Sequence, residues 1–334
     1  MLDFPVLRRA ALACALASAA LLISGCKTAP KAPDRHAADT EKPKEIAQIK
    51  MPAGADRASA ELIEQGRRFS IYVELLGIDD PRDKKLLVRA DVAQKLGITN
   101  TQMRRRFMDT VMRSRRFEVF DSTSSVTADK SDLVVDGMVT QVTQEIVPLE
   151  GGVRVSRTRV ELSVQGRHRY DGNPLFPGGA VVVVGQTGAS SGDRVVLSPA
   201  DRVDSPAVQE RLAIDYERGL RRALDLAAAK LADVVRPMGK VVSVEPDQIG
   251  MLGGQSHGFQ GGDEVVVFRA TMVRLPSGKE EFASTRPIAV ARCDGAGTRT
   301  SQCVIIRRAP NMTPQAGDYA VLSDFSANTQ PRVD

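Results

Sequence analysis

The chain has 334 residues, 42% of them hydrophobic, 26% charged and 4% aromatic, with no Trp; this balance is globular and excludes a disordered, collagenous or polytopic membrane chain. At roughly 150 residues per domain, the length predicts about two domains, each able to bury its own core. A formal charge of +5 is too mild to require nucleic acid as a partner, and 3 His with 4 Cys supply a His-based zinc site or a Cys/His nucleophile pair poorly.

Residues 1–25 carry Arg8 and Arg9, then an apolar run of about 14 residues, then small residues, which is the layout of a bacterial export signal. The run is too short to cross a hydrocarbon core of ~30 Å as a durable helix, so it is expected to be removed. Ile23, Ser24 and Gly25 stand immediately before Cys26 and resemble the lipobox of bacterial lipoproteins. That resemblance implies that the Cys26 thiol is lipidated and becomes the mature N-terminus, and acyl chains at ~0.8 kcal/mol per buried CH₂ give firm anchoring. Lys27 in the next position implies sorting to the outer membrane. Export also sets the redox state: with Cys14 removed and Cys26 acylated, Cys293 and Cys303 are left in an oxidising compartment, without CxxC spacing or a nearby His. A structural disulfide is expected, contributing about 2 to 3 kcal/mol through a ~10-residue loop.

Residues 26–67 are rich in Lys, Pro, Ala and Asp without apolar periodicity and read as a disordered tether, averaging roughly 35 Å in span and reaching at most about 120 Å. Folded structure is predicted from 68. Residues 69–78 form a short apolar run typical of a core strand. Asn100 or Thr101 caps a helix over 101–116, with Met103, Phe107 and Val111 on one stripe. Strands follow at 116–120, 133–144, 153–170, with a bulge between Ser156 and Arg159, and 180–185. Ser205 and Pro206 open a long helix whose Leu212, Tyr216, Leu220, Leu224, Ala227, Leu231 and Val234 recur at steps of three and four, and Pro237 and Gly239 stop it. This order predicts an α/β fold over 68–237, a small mixed sheet covered by two helices. From 238 to 325, short strands at 240–244, 264–268, 270–275, 288–293 and 303–307 alternate with Gly or Pro turns and predict an all-β module, sandwich or barrel; residues 326–334 read as a disordered tail.

The segments RRFEVFDS (115–122) and KSDLVVDGMVT (130–140), with the lipobox, the capped basic helix and the closing amphipathic helix, resemble the curli-secretion lipoprotein family, the CsgG-like proteins and their TolB-N-like relatives. The resemblance covers 68–236 and implies a small α/β domain, self-association into a ring, and a place in envelope secretion. The 240–325 segment, with GGQSHGFQGGD (253–263) and Ala316-Gly-Asp-Tyr319, is similar to the C-terminal β domain of flagellar assembly protein T. Pore-forming members of the first family thread two hairpins per subunit through a membrane. Here the candidates are 141–165 and 180–197, and the first carries Gln141, Gln144, Glu145, Arg154, Arg157, Arg159 and Glu161, without the clean apolar alternation a lipid-facing strand needs.

Arg104, Arg105, Arg106, Arg113, Arg115 and Arg116, opposed only by Asp109, put about +5 on one helix. Helical spacing groups Arg105, Arg113 and Arg116 away from the apolar stripe as a dock for an acidic partner, lipid head groups or peptidoglycan carboxylates; the alternative is a solvated face whose Arg residues favour the helix dipole. The Gly-rich 253–263 loop runs strand to strand with no helix N-terminus or GKS/GKT, so it reads as turns that leave His257 exposed. No EF-hand spacing, GxSxG elbow or nucleophile–base pair is assembled, so neither enzyme, cofactor nor metal is expected. The expected function is a lipid-anchored, periplasm-facing outer-membrane factor that docks an envelope or appendage-assembly protein, with an export channel or an activator of a cell-wall synthase as alternatives; homo-oligomers fit, nucleic acid does not.

Overall fold

The computed structural model describes residues 43–323 apart from 47, 53–62, 64–65, 78–82, 122, 124–126, 170–171, 190–191, 193, 275 and 277–279. The described residues belong to one compact unit, Lys42–Asp334. The export signal, Cys26, the first part of the expected tether and the expected tail lie outside them.

Strands β2 (Phe69–Gly77), β3 (Asp83–Lys85), β4 (Phe117–Phe120), β5 (Leu133–Pro148), β6 (Arg154–His168), β7 (Ala180–Gln186) and β8 (Val195–Leu197) make a mixed sheet in the order β4-β2-β5-β6-β7, with β3 on β5 and β8 on β6. β4, β2 and β5 run parallel, and β5, β6 and β7 are antiparallel. Helices α1 (Ala90–Lys95), α2 (Asn100–Arg113) and α3 (Pro206–Val234) join it. The four-residue step of Met103, Phe107 and Val111 puts all three fully inside, against Ile71, Leu133 and the α3 stripe. The cap is Thr99, whose hydroxyl accepts from the Gln102 N–H, one residue ahead of the expected pair. The expected bulge on β6 lies instead on its partner, where the β5 register shifts between Val139 and Gln141.

α3 lies close to the sheet because Gly185 of β7 faces its backbone, while Gly219 of the helix faces Thr158 and Val160 of β6. A Cβ on Gly185 of β7 would stand 2.1 Å from the Gly219 carbonyl and 2.5 Å from the Ala223 nitrogen. Beside this contact α3 buries a carboxylate: Ser156 and Thr158 of β6 each donate to Asp215 Oδ2 at 2.6 Å. Gln144 Nε2 bridges Thr158 Oγ1 and the Leu212 carbonyl, and the Thr158 N–H donates to Thr187 Oγ1. Buried polar groups of this kind fix one register of helix on sheet, since any slip strands them without partners.

The second sheet closes on itself. β9 (Met238–Val244), β10 (Gln248–Leu252), β11 (Glu264–Arg274), β12 (Glu280–Ala296), β13 (Thr300–Arg308) and β14 (Tyr319–Leu322) run in the order β13-β10-β9-β14-β11-β12, and β12 returns to β13. A six-stranded barrel therefore resolves the choice between sandwich and barrel. Its interior holds Val241, Ile249, Met251, Phe259, Val265 and Val267 together with the Cys293–Cys303 disulfide, which joins directly opposed residues of β12 and β13. The separate strands expected at 264–268 and 270–275 are one strand, broken in register rather than in chain.

Two broader expectations change. By content the protein is mostly β, mixed sheets with few helices plus a closed barrel, rather than a plain α/β fold, because the module after 238 and the short strands β3 and β8 outweigh the helices. The tether reading fails from residue 44: β1 (Lys44–Glu45) pairs parallel with β13, and Ile46, Ile49, Met51 and Ile63 pack on an outer barrel face of Met238, Val266, Phe268, Val290, Tyr319 and Val321. These four apolar residues are too sparse to set up a period of their own; the preformed apolar face recruits them. The long helix ends at Val234, where its apolar stripe ends, just ahead of Pro237, and Gly239, expected as part of the stop, belongs to β9.

Gly185→Val is expected to lower stability by about 1 to 3 kcal/mol or more, since the added atoms meet helix backbone that cannot rotate away; thermal unfolding checks this, and an unchanged midpoint would mean that α3 sits farther from β7. Reducing the buried Cys293–Cys303 bond is expected to remove about 2 to 3 kcal/mol, read as a shift in denaturant midpoint with and without reductant.

Candidate docking cleft where helix α2 meets the barrel

α2 ends one turn before the basic run does. Ser114 is its C-cap, and Arg115 follows in the left-handed region at φ 59°, its N–H donating to the Met112 carbonyl. Glycine usually fills this place because it has no Cβ. Here the turn is held from outside: a Cβ on Gly258 would lie 2.6 Å from the Arg115 carbonyl oxygen, and Gly258 is itself left-handed at φ +101°. The helix end thus sits on the short 3-10 turn Gln255–His257 of the barrel module, and Arg68 Nη2 donates to the Gln255 carbonyl nearby.

The junction leaves a cleft of about 150 Å³ lined by Arg113, Ser114 and Arg115 on one side and Gly258, Gln260, Asp263 and Leu322 on the other. Arg236 Nη1 donates to the Leu322 carbonyl at 3.2 Å, and Asp263 Oδ2 accepts from the Gln260 N–H at 2.8 Å, which fixes the barrel wall.

The guanidinium groups divide by partner. Arg104 pairs with Asp121 at 3.5 Å and Arg106 pairs with Glu217, so Asp109 is not their only counter-charge. Arg105 and Arg113 are exposed as expected; Arg113 donates to the Asp109 carbonyl and to Thr110 Oγ1, both uncharged acceptors. Arg116 does not share their face. It is 3% exposed, because the helix has already ended and the chain is turning into β4, where helical projection no longer applies. Arg115 takes its place at the rim, exposed beside Arg113. Among the described residues no carboxylate is paired with Arg105, Arg113 or Arg115. The signal that could have moved the choice from Arg116 to Arg115 is local: a strand beginning FEVF buries the residue just before it.

His257 also departs from expectation. The 253–263 loop is a set of turns, yet the imidazole is 3% exposed rather than in solvent. Its Nδ1 accepts from the Gly254 N–H at 3.2 Å, so its Nε2–H donates to the Ile63 carbonyl at 3.2 Å. Burial pushes its pKa below the ordinary 6.5; the Ile63 carbonyl works the other way, and the Arg299 charge adds to the lowering. Among the described residues no group of three or more His, Cys, Asp or Glu could hold a metal ion, and no helix is long and apolar enough to cross a membrane.

No protein-family model and no characterised protein matches the sequence. Solved structures resemble it in part. One is a Helicobacter pylori protein described as a homolog of neuraminyllactose-binding hemagglutinin, at 10% identity and TM-score 0.31 over 56% of this chain and 92% of that one. A Xanthomonas campestris protein of the DUF330 family model follows at 12% identity and TM-score 0.28, over 57% and 91%. Lipoprotein GNA1162 of Neisseria meningitidis shares 15% identity at TM-score 0.21, over 37% and 88%. Likenesses of this size carry no activity across to this chain.

Proposed function

We propose that the protein is a lipid-anchored factor of the bacterial envelope that works without catalysis, by holding an acidic segment of a partner protein at the cleft between α2 and the barrel. The observation that carries this reading is the trio Arg105, Arg113 and Arg115: exposed guanidinium groups with no carboxylate partner among the described residues, two of them lining the cleft. Guanidinium forks pair well with carboxylates, and partly enclosed ones are screened less than those on open surface. The lipobox at Cys26 supports an anchor on the periplasmic face of the outer membrane, and the likeness of 68–236 to curli-secretion lipoproteins and of 240–325 to flagellar assembly protein T supports service in secretion or appendage assembly. A transmembrane channel has less support: Arg157, Arg159 and Glu145 are exposed on the β5–β6 hairpin, where a lipid-facing strand carries apolar side chains.

Photo-crosslinking amino acids placed at Arg105 and Arg115 test the reading in cells, with a third at Arg202, an exposed position before α3. One shared protein adduct is expected from the first two sites and none from the third. The triple change Arg105→Glu, Arg113→Glu and Arg115→Glu, with the crosslinker moved to Ser114, is expected to lower that adduct by about tenfold or more, and added salt to lower it in the wild type. An adduct of unchanged yield in the triple variant would remove the cleft from the account.

A further inference from the structure

The mixed sheet ends at β7. This strand pairs with β6 along its whole length, and among the described residues no strand pairs with its other side. Open edges are normally blunted by charge, proline or brevity. β7 has none of these: it runs Ala-Val-Val-Val-Val-Gly-Gln over seven residues, and Val182 is 58% exposed.

The helix that crosses β7 also overhangs this edge. Gly219 and Ala223 of α3 lie against Gly185. Leu226 and Lys230 stand seven and eleven residues beyond Gly219, close to two and three full turns, so they project from the same side of the helix. The sheet buries Gly219 and Ala223, yet Leu226 is 36% exposed and Lys230 is exposed. α3 has therefore passed beyond the strand, and its underside stands over the open edge. Arg222 Nη1 donates to the Gln186 carbonyl and pins the helix at the far end of β7.

From this arrangement we propose that the open edge of β7 and the overhang of α3 form a slot that takes an extended segment of another protein as an added strand. The segment carries an apolar side chain for Leu226 and acidic ones for Lys230 and Arg222. Alternation sets this pattern. Val181, Val183 and Gly185 lie beside the buried Val164, Leu162 and Val160 on the helix side of the sheet, whereas Val182 and Val184 lie beside Ser163 and Glu161 on the other. A strand added to β7 repeats the alternation, so every second side chain enters the space under α3. Backbone groups supply affinity whatever the sequence, and the overhang supplies selection. Its charge favours an acid: among the described residues no carboxylate is paired with Lys230. A second copy of this chain fits less well. Its β7 would offer Val181, Val183 and Gly185 to the helix side, with no acid, and would bring a second Lys230 overhang into the same space. The slot is distinct from the docking cleft and does not depend on it.

Hydrogen exchange on the full-length mature protein in detergent tests the slot with a soluble probe, the acetylated and amidated peptide Glu-Thr-Val-Thr-Glu-Thr-Val. Its odd positions carry the side chains for the helix side. At about millimolar peptide, residues 180–186 are expected to gain protection by about tenfold, while β5 and β6 keep theirs. The counterpart Lys-Thr-Val-Thr-Lys-Thr-Val is expected to bind about tenfold more weakly, and Lys230→Glu to reverse the order of the two. N-methylation of the acidic peptide at its odd or at its even positions is expected to abolish binding in one pattern and spare it in the other, because an added strand pairs through every second N–H. No gain in protection with either peptide, equal response to the two, an order that Lys230→Glu leaves unchanged, or the same response to both methylation patterns would each overturn the proposal. Protection of 180–186 that rises with protein concentration alone would overturn it in favour of a second copy.

Discussion

A carbonyl oxygen, that of Arg115, lies 2.6 Å from where any residue but glycine at 258 would place a Cβ, and both residues adopt left-handed backbone. Neither conformation is favoured locally. An arginine in that region costs of order 1 kcal/mol or more, and it persists only where the surroundings over-determine it. Here they do: the helix hydrogen bonds before Arg115 and the buried Arg116 and Phe117 after it hold one side, and the short turn Gln255–His257 holds the other. That close approach joins the mixed sheet to the barrel and shapes the cleft, whose two walls come from segments more than a hundred residues apart. The charge at the rim follows from the same turn, which aims Arg115 outward and Arg116 inward.

Away from the junction, the mixed sheet depends on an equally tight contact of another kind. Gly185 removes a side chain where α3 crosses β7 and Gly219 removes one where it crosses β6, and Asp215 with Ser156, Thr158 and Gln144 sets the helix register beside them. Small residues supply nearness, and the polar network supplies uniqueness. An apolar α3 stripe alone would tolerate a slide by one turn, but a buried carboxylate moved away from its two hydroxyl donors would not. The barrel reaches rigidity differently, by closing its sheet on itself through the pairing of β12 with β13, while the outer half of the β11–β12 hairpin, residues 269–274 with 280–286, extends past the closure.

Periodicity made the strongly patterned elements legible. The stripe of Met103, Phe107 and Val111 and the long heptad-like run of α3 report burial through spacing, and both helices stand within a few residues of their expected limits. The Cys293–Cys303 pairing was legible from compartment and count alone. What could not be read is what depends on a distant partner. Ile46, Ile49 and Ile63 carry no pattern, and they become ordered because the outer barrel face is apolar. His257 in a run of glycines looks solvent-facing until a segment nearly two hundred residues earlier covers it. Arg116 was assigned to the exposed face by extending helical geometry past Arg113, where Ser114 ends it. The exposure of Arg105 and Arg113 was therefore visible in sequence, whereas the exchange of Arg116 for Arg115 at the surface needed the turn.

The central claim is that the seat of Arg115 on Gly258 builds the surface this protein uses, and a side chain at position 258 tests it most directly. With Gly258→Val in the full chain, the crosslinked adduct formed from Arg105 is expected to disappear. Hydrogen-exchange protection should meanwhile fall at residues 112–117 and 254–260 and persist in β5, β6 and the barrel interior, since the clash at 2.6 Å is confined to the junction. Retention of the adduct at wild-type yield, with protection at the junction already lost, would contradict the account, because it would show that the partner binds without the cleft.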